Sequence, residues 1–405
     1  MASTEVEFNP FLPEFNADPY PFYQRLRAED PVHRSRLGFW VLTRYDDVVT
    51  ALRDPRFGKS GYQALLQARF GTDREGAGGG GDFATSMLFR DPPDHTRLRA
   101  LVSKAFTPRV VEAMRPHIQQ IVDDLLDAVR DAKTMDVIED LAYPLPVTVI
   151  CEMLGVPVGD HDGFRQWSLD IARSLDAIAT PTDPAIVERG NAARRALTGY
   201  FRSLVAERRA RPSQVLLSTL IAVEEAGDRL TEQELLATCV LLLVAGHETT
   251  VSLIGNGLLA LLRHPHAMNA LRADPSLIGS AVEELLRYDG PVQRVGRIAN
   301  VAVELGGHTI PAGDLVLSLI GAANRDPAHF PEPDRLDLRR AENRHLAFGL
   351  GIHFCLGAPL ARVEGQIAFN ALLRRLPGLT LRTAVPQWRE SATLRGLRSL
   401  PVGWD

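Results

Sequence analysis

The chain has 405 residues, 45% of them hydrophobic and 23% charged, and its 45 basic and 50 acidic side chains leave a net charge of −5. This composition excludes intrinsic disorder, collagen-like repeats and a coiled coil, and it is typical of a globular protein with a large core. The slightly acidic balance carries no electrostatic footprint for nucleic acid, so no nucleic-acid partner is expected.

The N-terminal part is predicted to mix short helices and strands. Residues 9–20 are rich in Pro and Phe and are expected to form an irregular arm. A short hairpin is predicted over 31–36 and 39–43, and helical spacing over 45–53 stops at an Asp-Pro pair. The glycine-rich stretch 74–82 has no packing side chains at its centre, so a mobile loop within the fold is expected there.

The middle of the chain is predicted to be helical, with apolar residues every three or four positions and prolines as breakers. One long helix is predicted to start at a capping box, formed by Thr231 and Glu234, and to end at Arg263. It is apolar almost all round, so it should pass through the core. Its most apolar run has 12 residues, whereas a bilayer span needs about 20, so no membrane contact is expected.

The C-terminal part changes to strand patterns. A hairpin is predicted over 301–305 and 308–310, a strand over 315–320, and strand and turn character over 393–402. No internal repeat and no break in composition marks a boundary. The sequence therefore predicts one domain, residues 1–405, that is mainly α with small β-sheets.

Cysteine use and the first residues indicate the compartment. Cys151, Cys239 and Cys355 are odd in number and scattered, so they imply no disulfide framework, which fits a reducing interior. Residues 1–7 are acidic and polar and lack the basic and apolar segments of an export signal. A soluble cytoplasmic protein is expected.

The densest chemical pattern surrounds Cys355, between Phe348 and Pro359. Three glycines in ten residues indicate a tight backbone path close to something flat or bulky. The cysteine stands just before a predicted helix, whose positive end favours a thiolate. One thiolate without further Cys or His at zinc spacing makes a poor zinc site but is the ligand that a haem iron takes. The alternative, a buried structural cysteine, is accepted for Cys151 and Cys239.

These residues resemble the ligand loop of the haem-thiolate monooxygenases, the cytochrome P-450 family, which reads Phe-x-x-Gly-x-(His/Arg)-x-Cys-x-Gly. The matching positions are Phe348, Gly351, His353, Cys355 and Gly357. Further matches are Ala-Gly-His-Glu-Thr-Thr at 245–250 and the Glu-x-x-Arg of Glu284 and Arg287. The likeness covers essentially the whole chain and is to bacterial members of the macrolide-oxidising subgroup. It implies the P-450 fold, a triangular helical body with a long central helix over a haem b.

The resemblance also implies the residues that contact the cofactor. Cys355 would bind the iron, and the propionates would meet His95 and Arg99, four apart on one helix face, with Arg297 and His353. The full set of implied cofactor contacts is His95, Arg99, Ala245, Arg297, Phe348, Gly349, His353, Cys355 and Gly357. Glu284 and Arg287, three apart, are expected to form a buried ion pair with a structural role.

Glu248 and Thr249 are the candidate catalytic residues. The positions that share their helical face are Leu241, Ala245, Glu248, Thr249 and Ser252. An acid beside a hydroxyl can relay protons, and the family uses this pair to cleave dioxygen. The alternative is an ordinary amphipathic helix with a surface Glu248. His247 is expected to line the site or join a water network and not to bind iron.

Substrate and partners follow from the resemblance. The implied substrate contacts come from the loop at 61–88, which includes Leu88, from the region 174–185, and from Leu241, Ala245, Val292, Val295 and Leu394. Most of these side chains are apolar, which indicates a largely apolar small molecule. No dinucleotide fingerprint is present, so electrons are expected from a ferredoxin and its reductase. A basic docking face is predicted from Arg97, Lys104, Arg109, Arg340, Arg344 and Arg362.

The predicted activity is insertion of one atom of dioxygen into a secondary metabolite such as a macrolide or polyketide, by hydroxylation or epoxidation. Three alternatives stay open: a haem-thiolate peroxygenase, an enzyme that couples substrates oxidatively, and a non-catalytic haem-binding protein. The acid–alcohol pair at Glu248 and Thr249 disfavours the first and the last.

Overall fold

The computed structural model describes residues 6–59, 61–62, 85–178, 182–225 and 230–405. Backbone contacts divide the chain into two compact units. The larger unit comprises Met1–Phe57, Met114–Leu145 and Thr249–Asp405, and the smaller unit comprises Gly58–Ala113 and Pro146–Glu248. The predicted glycine-rich loop at 74–82 lies outside the described residues.

Helices make up most of the described chain. In order they are α1 (Pro13–Ala17), α2 (Tyr20–Glu29), α3 (Tyr45–Arg53), α4 (Asp94–Ser103), α5 (Pro108–Val129), α6 (Pro144–Leu154), α7 (Phe164–Ser174), α8 (Pro184–Ala210), α9 (Leu216–Glu225), α10 (Glu232–Arg263), α11 (Pro265–Ala273), α12 (Ile278–Asp289), α13 (Ile320–Ala323) and α14 (Ala358–Arg375). The predicted helix over 45–53 is confirmed as α3. Most of the chemistry predicted from the sequence lies on or beside α4, α10, α12 and α14.

The strands are short and form four small sheets in the part of the chain that the structure describes. They are β1 (Val32–Arg34), β2 (Trp40–Leu42), β3 (Phe57–Gly58), β4 (Thr134–Asp136), β5 (Arg294–Ala299), β6 (Val303–Leu305), β7 (His308–Ile310), β8 (Leu315–Leu319), β9 (Thr380–Leu381), β10 (Gln387–Trp388), β11 (Leu397–Ser399) and β12 (Pro401–Gly403). The sheet orders are β1-β2-β8-β5-β3, β4-β12-β9, β6-β7 and β10-β11. Both predicted hairpins, β1–β2 and β6–β7, and the predicted strand β8 are confirmed, as is the mainly α class with small sheets.

The long helix α10 begins where the sequence predicted. The Glu234 amide donates to the Thr231 hydroxyl at 3.2 Å, and the Thr231 amide donates to the Glu234 carboxylate at 3.0 Å, so the capping box is present. By length and composition α10 is the one helix among the described residues that could cross a membrane, but 83% of its most apolar window is buried inside the protein. It is a core helix, as predicted.

Within the larger unit, α14 packs directly onto α10. A Cβ added at Gly257 of α10 would lie 2.5 Å from Cζ of Phe369 on α14, and the Phe369 ring is fully buried. With the Phe369 ring in place, no side chain larger than hydrogen fits at position 257. The close approach sets the spacing between the helix that follows Cys355 and the helix that carries Thr249.

The prediction of an irregular arm over 9–20 is wrong, because this segment contains α1 and the start of α2. Pro13 and Pro21 stand in the first turns of α1 and α2, where a proline loses no hydrogen bond. Phe15 of α1 is buried and meets the rings of Phe8 and Tyr23 at centroid distances of 5.7 and 5.6 Å. The segment is therefore a packed part of the larger unit.

Candidate active site

The Cys355 loop follows the tight path that its glycines predict. Gly351 has φ of +73°, a left-handed conformation that disfavours side chains, and a Cβ there would lie 2.5 Å from the carbonyl oxygen of Leu52. The Cys355 amide donates to the Phe348 carbonyl at 2.9 Å and closes the loop. Glycine at 351 is therefore required by both conformation and space.

Cys355 is placed as the helix argument predicts. Gly357 is the N-cap of α14 and Pro359 stands in its first turn, so the cysteine lies two residues before the cap. Cys355 is exposed, whereas Cys151 and Cys239 are fully buried, and burial raises the pKa of both of these thiols to about 12. Two of the three cysteines are thus inert in place, and Cys355 is the one available as a ligand.

The surroundings of Cys355 fit a haem better than a bare metal ion. Ile352 and Phe354, which both precede it in the loop, are 50% and 38% exposed and offer apolar surface for a large flat group. Within the described ranges, no three His, Cys, Asp or Glu side chains gather as a metal site. One sulfur ligand with an apolar surround is the donor set that a porphyrin iron takes.

Phe348 at the start of the loop is held by a charged cluster. The Arg362 guanidinium lies 4.5 Å from the centre of the Phe348 ring and donates to Glu283 at 2.7 and 2.9 Å. His345 Nε2 lies 3.1 Å from the same carboxylate. Burial raises the pKa of Glu283, but the hydrogen bonds from His345 and Arg362 outweigh it and lower this pKa to about 2. The sequence did not reveal Glu283, because its two partners lie 62 and 79 residues away.

The Glu248 segment of α10 is buried. Glu248 is 3% exposed and His247 is fully buried, so the alternative of a surface glutamate is wrong. His247 Nδ1 lies 2.7 Å from the Leu243 carbonyl, which can only accept, so Nδ1 carries the proton. Nε2 of the same ring then faces Glu248 Oε1 at 3.5 Å. A carboxyl and an imidazole, both able to hold a proton, are adjacent in the protein interior.

Ala245 is the one exposed residue between Leu235 and Leu261 of α10, and Thr249, one turn on, is half-buried. Gly246 has a packing role, since a Cβ there would lie 2.8 Å from Cγ1 of Ile150 on α6. A flat ligand can therefore approach this part of α10 on the Ala245 side, because the Gly246 side is occupied by a neighbouring helix.

Glu284 and Arg287 form the predicted ion pair. Arg287 Nε donates to Glu284 at 2.8 Å, and both side chains are fully buried. Arg287 also donates to the carbonyls of Asn324, Pro333 and Arg335. Every guanidinium nitrogen thus has an acceptor, which is what makes a buried charge tolerable.

Arg340 completes this network and is not a docking residue. Its Nε donates to Glu284 at 3.1 Å, and its side chain is 8% exposed. The docking prediction for Arg340 is therefore wrong, since the guanidinium is turned inward. Arg97 and Arg362 also engage acids, Glu234 and Glu283. Arg344 pairs with Glu342 at 4.0 Å, but its side chain stays 82% exposed.

The remaining predicted cofactor contacts lie in both units. In the smaller unit, His95 is buried and Arg99 is half-buried one turn later on α4. In the larger unit, Arg297 is buried on β5 and donates to the Gly296 carbonyl at 3.0 Å, while His353 is half-buried in the Cys355 loop.

The predicted substrate residues fall into two groups. Val292 and Leu394, 102 positions apart, are brought together in an isolated antiparallel β-bridge, and both are half-buried. Val295 packs against the core of the larger unit, so part of its role is structural. In the smaller unit Leu241 is buried and Leu88 is half-buried. Much of the predicted loop at 61–88, and residues 179–181, lie outside the described part of the chain.

Glu364 is a buried acid that the sequence analysis missed. It lies on α14, is 1% exposed, and shares a hydrogen bond with the Thr250 hydroxyl on α10. Burial raises its pKa to about 8, although the Thr250 bond opposes the shift. A signal was present, since Glu364 stands at helical spacing from Leu360 and Ile367 on the apolar face of α14.

Comparison with known proteins identifies the class. The family model for cytochrome P450 matches residues 77–387. The cytochrome P450 monooxygenase PikC of Streptomyces venezuelae is 46% identical over 401 residues, covering 96% of this chain and 92% of the relative. The 6-deoxyerythronolide B hydroxylase of Saccharopolyspora erythraea is 43% identical over 403 residues, covering 96% and 97%. The crystal structure of myxobacterial cytochrome P450 CYP267B1 with myristic acid superposes with a TM-score of 0.90, at 45% identity and 98% coverage of both chains.

The chain therefore belongs to the cytochrome P450 family, and it is a P450 monooxygenase of the bacterial secondary-metabolite type. Proteins of this family carry a haem whose iron is bound by a cysteine thiolate.

Removal of Arg340 should destabilise the protein strongly. Arg340→Ala leaves the buried Glu284 with one guanidinium in place of two, and we expect the free energy of unfolding to fall by about 2–4 kcal/mol. Arg344→Ala is the matched control, because that side chain is 82% exposed and should change stability by less than about 0.5 kcal/mol. Urea denaturation measures both. Equal losses in the two variants would show that Arg340 is a surface charge.

Glu364 should make stability depend on pH. Its pKa is about 8 in the folded protein against the usual 4.5, so the folded state keeps a proton that the unfolded state loses between these values. Stability therefore falls as the pH rises from about 4.5 to about 8, by up to about 5 kcal/mol, and below this range the group has no effect on stability. Glu364→Gln should remove that slope, as read from denaturation midpoints across the window.

Glu342→Gln is the control for this measurement, because Glu342 is 84% exposed and should leave the slope unchanged. A Glu364→Gln variant whose pH profile runs parallel to that of the unmodified protein contradicts the assignment of a neutral carboxyl.

Proposed function

We propose that this enzyme inserts one atom of dioxygen into a largely apolar secondary metabolite of the macrolide or polyketide class, by hydroxylation or epoxidation. Its electrons come from a ferredoxin and ferredoxin reductase, and it works in the cytoplasm. The observation that carries the proposal is the placement of Cys355, exposed two residues before the N-cap of α14. The names of the relatives, a monooxygenase and a macrolide-ring hydroxylase, support the substrate class.

Haem b is the cofactor of this proposal. Cys355 provides the thiolate, with Phe348, Gly349 and Gly357 forming its loop and Ala245 contributing from α10. The candidate partners of the two propionates are the buried or half-buried cations His95, Arg99, Arg297 and His353. When bound, the haem supplies an iron that binds dioxygen and accepts electrons one at a time.

The acid–base work is assigned to Glu248 and Thr249. Insertion of one oxygen atom into the substrate and release of the other as water consumes two protons. Glu248 and His247, which are adjacent and buried on α10, offer groups that can carry them. The Glu248 carboxyl lies 3.5 Å from His247 Nε2. The Thr249 hydroxyl both donates and accepts, so it passes a proton while keeping its own orientation.

Substrate selection is assigned mainly to shape and burial. Four of the candidate contacts, Leu88, Leu241, Val292 and Leu394, are aliphatic, and such side chains bind by removing apolar surface from water. They supply no charged anchor. A large and weakly polar molecule fits this chemistry.

Thr249 variants test the proposal. With a surrogate ferredoxin and reductase, the unmodified enzyme should consume dioxygen and convert at least one member of a panel of macrolactones and myristic acid. Thr249→Ala should still consume dioxygen but form product about 100-fold more slowly, because general acid–base assistance is worth at least that factor. Thr249→Ser keeps the hydroxyl and should stay within about threefold of the unmodified enzyme. Product yield per electron, from mass spectrometry and NADPH consumption, measures the difference.

Two outcomes contradict the proposal. One is turnover with hydrogen peroxide alone that matches the ferredoxin-driven rate and is unaffected by Thr249→Ala, as a peroxygenase would show. The other is full reduction of the haem by the redox pair with no product from any member of the panel.

A further inference from the structure

The β-bridge between Val292 and Leu394 is too short to be stable without contacts from other parts of the protein. It comprises one residue pair, flanked by hydrogen bonds from the Gln293 amide to the Thr393 carbonyl at 2.9 Å and from the Arg395 amide to the Pro291 carbonyl at 2.7 Å. These bonds straddle the pair, which is therefore of the non-hydrogen-bonded kind that brings side chains close together. A ribbon with a single pair is not stable alone in water.

Asn256 on α10 binds both sides of this bridge with one amide group. Its Nδ2 donates to the Asp289 carbonyl at 3.2 Å and to the Arg395 carbonyl at 3.0 Å. Asp289 ends α12, so its carbonyl has no acceptor role inside that helix and needs an outside donor. An amide nitrogen has two hydrogens, and here each goes to one of the two segments that form the bridge. Asn256 is 1% exposed, so water does not replace it readily.

Arg395 ties the same loop to the rest of the larger unit. Its guanidinium donates to the Asp289 carboxylate at 2.7 Å and to the carbonyls of Asn16 and Ala17 at 2.8 and 3.0 Å. It also stacks 3.5 Å from the centre of the Trp388 ring. The loop that carries Leu394 is therefore bound at two places. Arg395 binds it to the end of α1, and Asn256 binds it to α10.

The loop also lies against the helix face that carries Thr249. A Cβ at Gly396 would clash with the Ser252 hydroxyl, so the loop backbone touches α10 there. Asn256 lies seven residues after Thr249, two turns along nearly the same face. A shift of the Asn256 contacts would move Leu394 relative to the helix on which the proposed chemistry takes place.

We propose that Asn256 is a positioning residue for substrate selectivity: by bonding the carbonyls of Asp289 and Arg395 it fixes Val292 and Leu394 relative to α10. The inference rests on the proposed function, in which these two side chains contact the substrate. Asn256 touches neither substrate nor cofactor in this assignment. It acts through the bridge, and its loss should affect large ligands and spare small ones.

Asn256→Leu is the main variant, because leucine has nearly the same size and no donor. Asn256→Ser keeps one donor and serves if the leucine variant folds poorly. Ile254→Val is the matched control, since Ile254 is fully buried on the same helix and its truncation costs stability without touching either carbonyl.

The first readout is hydrogen–deuterium exchange of the holoenzyme. In Asn256→Leu, the segments 291–295 and 393–396 should exchange about tenfold faster, because local opening there loses hydrogen bonds that oppose it. Asn256→Ser should show a smaller rise, and Ile254→Val should leave both segments within about twofold of the unmodified protein. Unchanged exchange in both segments of Asn256→Leu overturns the proposal.

The second readout separates large from small ligands. Imidazole and the bulky azole clotrimazole both bind haem iron and shift its visible spectrum. Asn256→Leu should change the clotrimazole Kd about fivefold or more and leave the imidazole Kd within about twofold, since a lost positioning contact of this kind is worth roughly a factor of ten. Equal changes for both ligands, or for Asn256→Leu and Ile254→Val, would show a role in general stability only. An unmodified protein that gives no spectral shift with imidazole refutes the haem assignment, while the exchange experiment still decides the role of Asn256.

Discussion

The contact between α10 and α14 is the constraint on which the rest of the site depends. α14 begins just after Cys355, and α10 carries Thr249, so the two parts of the proposed chemistry stand on two helices. Their separation is set where Gly257 meets the Phe369 ring, because nothing larger than a hydrogen fits there. Glu364 and Thr250 add a buried hydrogen bond across the same pair of helices. Because helices are rigid, this close packing fixes the position of Cys355 relative to Thr249, which a contact between flexible loops would not do.

Two charge clusters are centred on α12, and the one at Glu283 holds Phe348 at the start of the Cys355 loop. The buried Glu284 carboxylate accepts hydrogen bonds from Arg287 and Arg340. The carboxylate of the neighbouring Glu283 is bonded by Arg362 and lies beside His345. Burying so many ions is costly unless each finds its partners, and here each does. Arg340 and Arg362, which the sequence predicted to be part of a docking surface for a redox partner, are used in these clusters instead. Arg344 keeps that exposed character, and Arg340 does not.

Local patterns in the sequence were enough for much of the fold and for the centre of the site. The capping box at Thr231, the turns that make the hairpins, and the glycines before Cys355 all act over a few residues, so their structure follows from their order. The roles of Arg340, Glu364 and Asn256 could not be predicted from the sequence, because their partners lie far along the chain. Arg340 is 56 residues from Glu284, and Asn256 is 139 residues from Arg395. The N-terminal arm was mistaken for irregular structure because proline both breaks helices and begins them. Periodicity alone does not distinguish the two positions.

Whether the Cys355 sulfur binds the haem iron can be read from the visible spectrum of the reduced protein with carbon monoxide. We expect a strong, red-shifted Soret band for the unmodified protein and for Cys151→Ser and Cys239→Ser, and loss of that band in Cys355→Ser. A red-shifted band that survives in Cys355→Ser, or a preparation of the unmodified protein that binds haem without ever showing the band, would contradict this assignment.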